Sequence, residues 1–350
     1  MTLAATLPGG QIHRPMPRHI AVLALLIAAC LALPGASARA QSNGDESDGG
    51  LVGLVLPVGA RAIGQGRAVV ASRAELQAMP YNPAAADGLE RGALTFSRIE
   101  GAEEAGFSGN YVAGAVVSQW GTFAAQFTYQ DYGEIPLTET SPEEVGTAEI
   151  SDWAAGITWA NHWRDRFSYG VTAKWYNSDL GVTTGSGAAF DVGLVYLPRP
   201  GSVPMSLGFS LRNLGSDFSY DETDDSPGDG GSDNLPGRVR IGVEAAPERF
   251  FGLPSQYRVA LSFDIESDID ELSNSSQHAG ASLTLYDVLV LRGGFVMLDN
   301  PYVDAGDADR STGGSFGIGI QYDRFEADIA REVSVSELGD ETHFAAGFRF

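Results

Sequence analysis

The sequence predicts an all-β fold, a transmembrane antiparallel β-barrel of about 14 strands preceded by an N-terminal hatch or plug segment. Three observations predict it. From residue 92 to the C terminus, segments of alternating apolar and polar residues follow one another, the two-residue period of a wall with one face in lipid and one in water. The connections are short and long by turns, as periplasmic turns and external loops are. The chain closes on HFAAGFRF, with Phe344, Ala346, Phe348 and Phe350 on one face and His343, Ala345, Gly347 and Arg349 on the other.

Residues 1–40 read as a secretory signal peptide. Arg14 and Arg18 precede the apolar run Ile20 to Leu33, and Pro34 and the small residues Ala38 and Ala40 follow it, so cleavage is expected near Ala40. The run is too short for a spanning helix. Ile27 to Cys30 also resembles a lipoprotein cleavage box, which leaves lipidation at Cys30 as the competing outcome. Beyond residue 40 the chain holds 19 basic and 45 acidic residues, a net charge of −26. That balance excludes nucleic acid as a partner. Cys30 is the only cysteine, so the processed chain has no disulfide. The 44 glycines, 17 phenylalanines and 12 tyrosines suit short twisted strands.

Residues 41–91 differ in character and are assigned to the hatch. Gly59, Gly64 and Gly66 permit close backbone approach or positive φ. Ser72 and Glu75 have capping-box spacing before a short helix ending near Met79, which Pro80 and Pro83 prevent from continuing. A stretch of about 50 residues with apolar patches can fold into a barrel lumen. A periplasmic tail is the alternative, although Leu51 to Val58 is too apolar to stay comfortably solvated.

The barrel occupies 92–350, with strands expected at 92–99, 111–118, 121–131, 149–160, 166–177, 186–197, 203–213, 237–246, 256–265, 277–286, 288–297, 312–322, 324–334 and 342–350. Phe167, Tyr169, Val171, Ala173 and Trp175 alternate with Ser168, Gly170, Thr172, Lys174 and Tyr176. Met205 to Leu211 and Tyr257 to Glu266 alternate in the same way. The long connections are expected at 132–148, 214–236, 266–276 and 298–311, which puts both termini in the periplasm. Trp120, Trp159, Trp163, Tyr196, Tyr286 and Tyr322 fall at or beside the short turns, as an interface girdle requires. A secreted β-sandwich also alternates, yet does not demand long loops at every second connection. The final strand resembles the assembly signal of bacterial outer-membrane barrels, carried by Phe344, Phe348 and Phe350, and makes lipid and the barrel assembly machinery the expected partners. The expected address is the outer membrane of a Gram-negative bacterium.

The polar faces carry Lys174, Arg212, Arg238, Arg240, Glu244, Arg258, Asp264, Arg292, Glu326, Asp328 and Arg349. Such mixed signs brace a lumen by pairing across it. Alternatively Arg238 and Arg240, with Arg212 and Arg258 on the flanking strands, form a site for an anionic head group such as a carboxylate. The loops are acidic. Asp217 to Gly237 holds seven acids and no base, and Asp299, Asp304, Asp307 and Asp309, and Asp264 through Glu271, form further clusters. No complete twelve-residue calcium loop occurs, so solvated loops without metal are expected.

Enzymatic readings find little footing. Gly313, Ser315 and Gly317 match nucleophile-elbow spacing, but that motif needs a strand-to-helix turn and here opens an alternating strand. His162, His278 and His343 lack metal-ligand spacing, and the glycines at 59, 64 and 66 make no phosphate-binding fingerprint. No cofactor is expected.

The Gly-Ala-Arg-Ala stretch at Gly59 to Ala62, the pair Gly64 and Gly66, and Tyr81, Asn82, Pro83 and Ala84 resemble the N-terminal region of PorV/PorQ-type proteins, related to the FadL long-chain fatty-acid transporters. LRNLG at Leu211 to Gly215 is similar to a second element of that group. Arg67 stands where relatives usually have another glycine, which puts tight backbone packing there in question. The resemblance implies a hatch carrying Gly59, Arg61, Gly64, Gly66, Asn82, Pro83 and Ala84. It implies passage of hydrophobic or small amphipathic molecules across the outer membrane or, alternatively, a place in a type IX secretion system, binding protein partners through external loops. The longest loop offers little beyond Phe218 and Tyr220 as an anchor, which favours transport.

Overall fold

The computed structural model describes residues 53–101, 106–138, 144–181, 183–198, 203–215, 218–221, 232–249, 251–269, 272, 275–298, 311–333 and 340–350. The expected signal peptide, residues 41–52 and the Asp299 to Asp309 cluster lie outside them. Sixteen strands follow in order: β1 (Gly92–Glu100), β2 (Ser108–Ser118), β3 (Gly121–Thr138), β4 (Glu144–Trp163), β5 (Phe167–Asp179), β6 (Thr184–Tyr196), β7 (Met205–Gly215), β8 (Phe218–Tyr220), β9 (Ser232–Asp233), β10 (Arg238–Ala245), β11 (Tyr257–Asp268), β12 (Ser275–Leu285), β13 (Leu289–Leu298), β14 (Ser311–Tyr322), β15 (Phe325–Val333) and β16 (Glu341–Arg349). Fourteen of them, all but β8 and β9, pair antiparallel with their neighbours and close into a ring through β1 and β16. At that seam Ala93 stands opposite Arg349 and Ile99 opposite His343. The Gly92 and Phe350 backbones exchange hydrogen bonds of 3.2 and 3.0 Å. Closure leaves the ring itself without an open edge, which a structure in lipid requires.

The alternation decides what faces where. Leu94, Ile157, Phe190, Phe316 and Phe344 are exposed on the outside, an apolar belt that only a membrane would cover. Trp120, Trp163, Tyr286 and Tyr322 lie exposed at the short-turn end. Tyr129 and Trp153 pair across β3 and β4 at a second level. Phe344 and Phe350 are exposed and Phe348 stacks on Phe350 at 6.2 Å. The fold and its lipid-facing belt are those of an outer-membrane barrel.

Three expected long loops contain strand, and in 266–276 the β11 to β12 pairing runs on to Ser267 and Ser275. β3 and β4 continue as a paired hairpin through most of 132–148, past a register slip between Asp131 and Glu134 where Gly133 has φ 79°. Beyond the lipid belt nothing demands apolar outward positions, so the alternation gives no sign of this extension. Within 214–236, β8 and β9 pair with each other, and β8 folds back onto β6. Phe218 is fully buried there against Tyr176, with ring centroids 5.4 Å apart.

Candidate functional site

Residues 53–91 pack against the inward faces of strands all round the ring. The segment includes one short helix, α1 (Ala60–Gly64), and the 3-10 turns Leu76–Ala78 and Pro83–Ala86. The expected capping box does not form. Glu75 alone caps the first turn, accepting from Gln77 N at 3.1 Å, while Ser72 turns outward and donates to Glu244 on β10 at 3.1 Å.

The YNPA element has a clear local logic. Asn82 sits extended at φ −156° and its Oδ1 accepts from Ala84 N at 3.0 Å, while Pro83 at the first helical position has no N–H to satisfy. Asn82 Nδ2 donates to the carbonyls of Val70 at 2.5 Å and Leu194 of β6 at 3.2 Å. The Tyr81 hydroxyl accepts from Val58 N and donates to Val58 O, at 3.1 and 3.0 Å.

Backbone of the segment reaches backbone of the wall because the wall is glycine at the contacts. A Cβ on Gly170 of β5 would meet the Pro83 carbonyl carbon at 2.6 Å, and one on Gly208 of β7 would fall on the Val70 to Ala71 peptide. Gly66, with φ 62°, lies against Gly294 of β13 and donates to Ser315 Oγ at 3.1 Å. Ser315 is thus a lumen-facing strand residue, and the elbow spacing around it forms no elbow. Gly59 has φ 91°, and Gly64 would bring a Cβ to 3.3 Å from Gly317 Cα. The sequence reading missed these wall glycines, although each occupies a polar-face position of an alternating segment.

Arg67, expected to put tight packing in question, sits without it. It takes the left-handed φ of 64° that a glycine would take, and its guanidinium pairs with buried Glu332 of β15 at 2.5 Å. That carboxylate outweighs burial and raises the Arg67 pKa. Arg61 pairs with Glu75. Asp87 anchors the far end. It accepts from Ser168 Oγ at 2.6 Å and Arg73 at 2.7 Å, and contacts His162 at 3.0 Å. Burial opposes ionisation of Asp87, but these partners prevail and hold its carboxyl below the ordinary 3.8.

The candidate arginines part company. Arg240, 2% exposed, pairs with Glu266 at 2.7 Å and Asp264 at 3.6 Å, and donates to Arg67 O at 2.7 Å. Arg212 pairs with Glu266 at 2.5 Å and donates to Pro80 O at 3.2 Å. Both guanidiniums lie over the Tyr81 ring, 5.8 Å for Arg212 and 5.3 Å for Arg240. Arg238 stands opposite Arg212 in register and pairs with Asp268. Arg258 is not beside them. Its register partner is Thr284, below the end of β10, and it pairs with Asp287 at the exposed short-turn end, 2.9 Å away. The grouping of four is therefore a grouping of three, and each guanidinium already holds a carboxylate.

LRNLG joins this network. Asn213, with φ 56°, accepts from Lys174 at 2.5 Å and its N donates to Asp191 at 2.8 Å, and Lys174 pairs with Asp191 at 2.8 Å. A small cavity of ≈ 40 Å³ remains between the segment and the β3 to β5 wall, where Leu54, Leu56, Val58 and Tyr81 face Gln126, Thr128, Ala154 and Lys174. Among the described residues no group of three His, Cys, Asp or Glu side chains is placed to hold a metal.

No family model matches the sequence, and no curated protein matches it. Solved structures share the fold. The toluene transporter TodX of P. putida aligns with a TM-score of 0.54 at 11% identity, over 84% of this chain and 98% of that one. The toluene transporter TbuX of Ralstonia pickettii gives 0.52 at 14%, over 84% and 98%. The monoaromatic hydrocarbon channel CymD gives 0.53 at 12%, over 84% and 97%.

Proposed function

We propose that the chain is an outer-membrane transport protein for small hydrophobic or amphipathic molecules, in which the segment before β1 acts as a hatch whose displacement opens the path. The observation that carries this reading is the interior segment itself. It fills the lumen through seats that are individually small, peptide on glycine and single ion pairs, and leaves on the β3 to β5 side a gap of only ≈ 40 Å³, too small for a ligand unless the segment moves. The proteins that share the fold are, by their names, carriers of toluene and other monoaromatic hydrocarbons. A fold hosts many functions, so the lightly seated interior segment bears the weight and the neighbours point the same way. The domain division is residues 1–40 as an export signal cleaved near Ala40, 41–91 as hatch and 92–350 as barrel.

The finer likeness to PorV/PorQ-type proteins rests on the Gly59 to Ala62 and Tyr81 to Ala84 elements. It carries with it the type IX secretion role, against which the hydrocarbon channels among the neighbours weigh. A deletion strain measured for uptake of radiolabelled toluene and for its secreted-protein profile separates the two. Uptake falls and secretion stays unchanged on this reading; normal uptake with lost secretion overturns it.

A further inference from the structure

The inner wall of β3 to β5 carries polar groups that the segment covering them does not satisfy. Gln130, Asp152 and Ser178 face inward in register on three adjacent strands, Gln130 opposite Asp152 and Asp152 opposite Ser178. Tyr176 lies two residues before Ser178 on the same face. All four are at most 4% exposed. Gln130 Nε2, Asp152 Oδ1, Tyr176 Oη and Ser178 Oγ each lack a hydrogen bond of good geometry, although the Tyr176 hydroxyl stands close to both the Asp152 carboxylate and the Ser178 hydroxyl. The Tyr132 hydroxyl donates to Asp152 Oδ2 at 2.9 Å, so one carboxylate oxygen is in use and the other idle.

The cover is an apolar strap. A Cβ on Gly53 would meet Gln130 Oε1 at 2.6 Å, so the strap backbone lies directly on the polar row. Leu54 packs on the Tyr176 and Phe218 pair. Leu56 packs on the cluster that holds Phe107 and Tyr132, whose rings are 5.5 Å apart. Polar groups roofed by leucine and glycine are a costly arrangement in a folded protein. It is sensible if another molecule sometimes takes the roof's place.

We propose that Gln130, Asp152, Tyr176 and Ser178 form a binding site for a hydroxyl-bearing aromatic molecule, which the strap from Gly53 to Leu56 covers in this structure. The chemistry selects the class. The idle atoms comprise one donor, one acceptor and two hydroxyls that act as either. A ligand hydroxyl both donates and accepts, so it serves Asp152 and Gln130 together. A carboxylate would be repelled by Asp152, an ammonium would leave Gln130 Nε2 unmet, and a bare hydrocarbon would satisfy neither. The aromatic pairs on either side fit a ring. This inference rests on the transport reading for its purpose, but not for its binding.

The test uses the purified full chain in detergent, with p-cresol and toluene as probes in calorimetric titrations. The site predicts that p-cresol binds at least about tenfold more tightly than toluene, and that the preference disappears in Gln130→Leu with Asp152→Leu while the barrel still migrates heat-modifiably. The milder Asp152→Asn, which keeps the shape, should lower the preference in part. Equal binding of the two probes by the unaltered protein, or a preference that survives the double change, overturns the site. Uptake by whole cells decides the transport reading separately. Tight p-cresol binding without uptake keeps the site and defeats transport.

Discussion

The interior segment meets the wall in two unlike ways. From Ala60 to Asp87 its contacts are specific: peptide on glycine at Gly170 and Gly208, and charge on charge at Arg67 with Glu332. From Gly53 to Leu56 it lays apolar side chains and bare backbone over groups that want hydrogen bonds. Idle buried polar atoms occur on both sides, Ser262 Oγ and Glu332 Oε1 among them on the first, but only on the second does the segment bring no polar side chain of its own to meet them. On the proposed function, the difference reads as a segment tied by specific seats on one side and only lightly covering the other, the whole of which must shift to open the path.

The largest break in that comparison comes from filling the glycine seats. Gly208→Val with Gly294→Val puts side chains where the Val70 to Ala71 and Gly66 backbones lie, so the barrel should assemble but lose its filling. Planar-bilayer recordings should then show large open currents absent from the unaltered protein. Currents like the original would mean that the seats are dispensable.

Arg67→Ala comes next. It strands the buried Glu332 carboxylate at a cost of about 3–5 kcal/mol, and relieves no strain, since alanine is also strained at positive φ. Hydrogen exchange over 60–87 should quicken accordingly. Gln130→Leu alone should act with the opposite sign, slowing exchange over 53–58 by replacing the idle amide nitrogen with apolar contact while the Tyr132 to Asp152 bond stays. Equal responses in the two regions would erase the distinction. Asn82→Ala removes a cap and two further bonds, and should cost about 1–2 kcal/mol in the same assay.

Acid should loosen the far anchor last. The folded pKa of Asp87 lies below its ordinary 3.8, so its contribution is fully present above that value and is lost as pH falls through the lower, folded one. Exchange protection over 73–88 should hold from pH 7 to about 4 and then decline. A decline already complete near pH 5 would place the anchor elsewhere.

The wall was legible in the sequence because lipid on one face and polar groups on the other impose the two-residue period directly; all fourteen ring strands lie where the alternation puts them. The β3 to β4 extension and the β8 to β9 pair were not, since above the lipid belt no solvent boundary writes itself into the residues. The sequence sets the interior segment apart through Gly59, Gly66 and the YNPA element. Its seats were not legible, because Gly170, Gly208 and Gly294 look like any polar-face glycine until the chain they receive is in place. The arginines misled in one respect. Register, not sequence spacing, decides neighbours in a sheet, and it carries Arg258 to the end of β11 away from Arg238.

The central claim is that the segment must move for molecules to pass, and a reversible lock tests it. A Cβ at Gly64 would lie 3.5 Å from that of Ala330 on β15, within the range that a disulfide spans. Gly64→Cys with Ala330→Cys should abolish toluene uptake by cells when oxidised and restore it on addition of reductant. Equal uptake in the locked and reduced states would contradict the account.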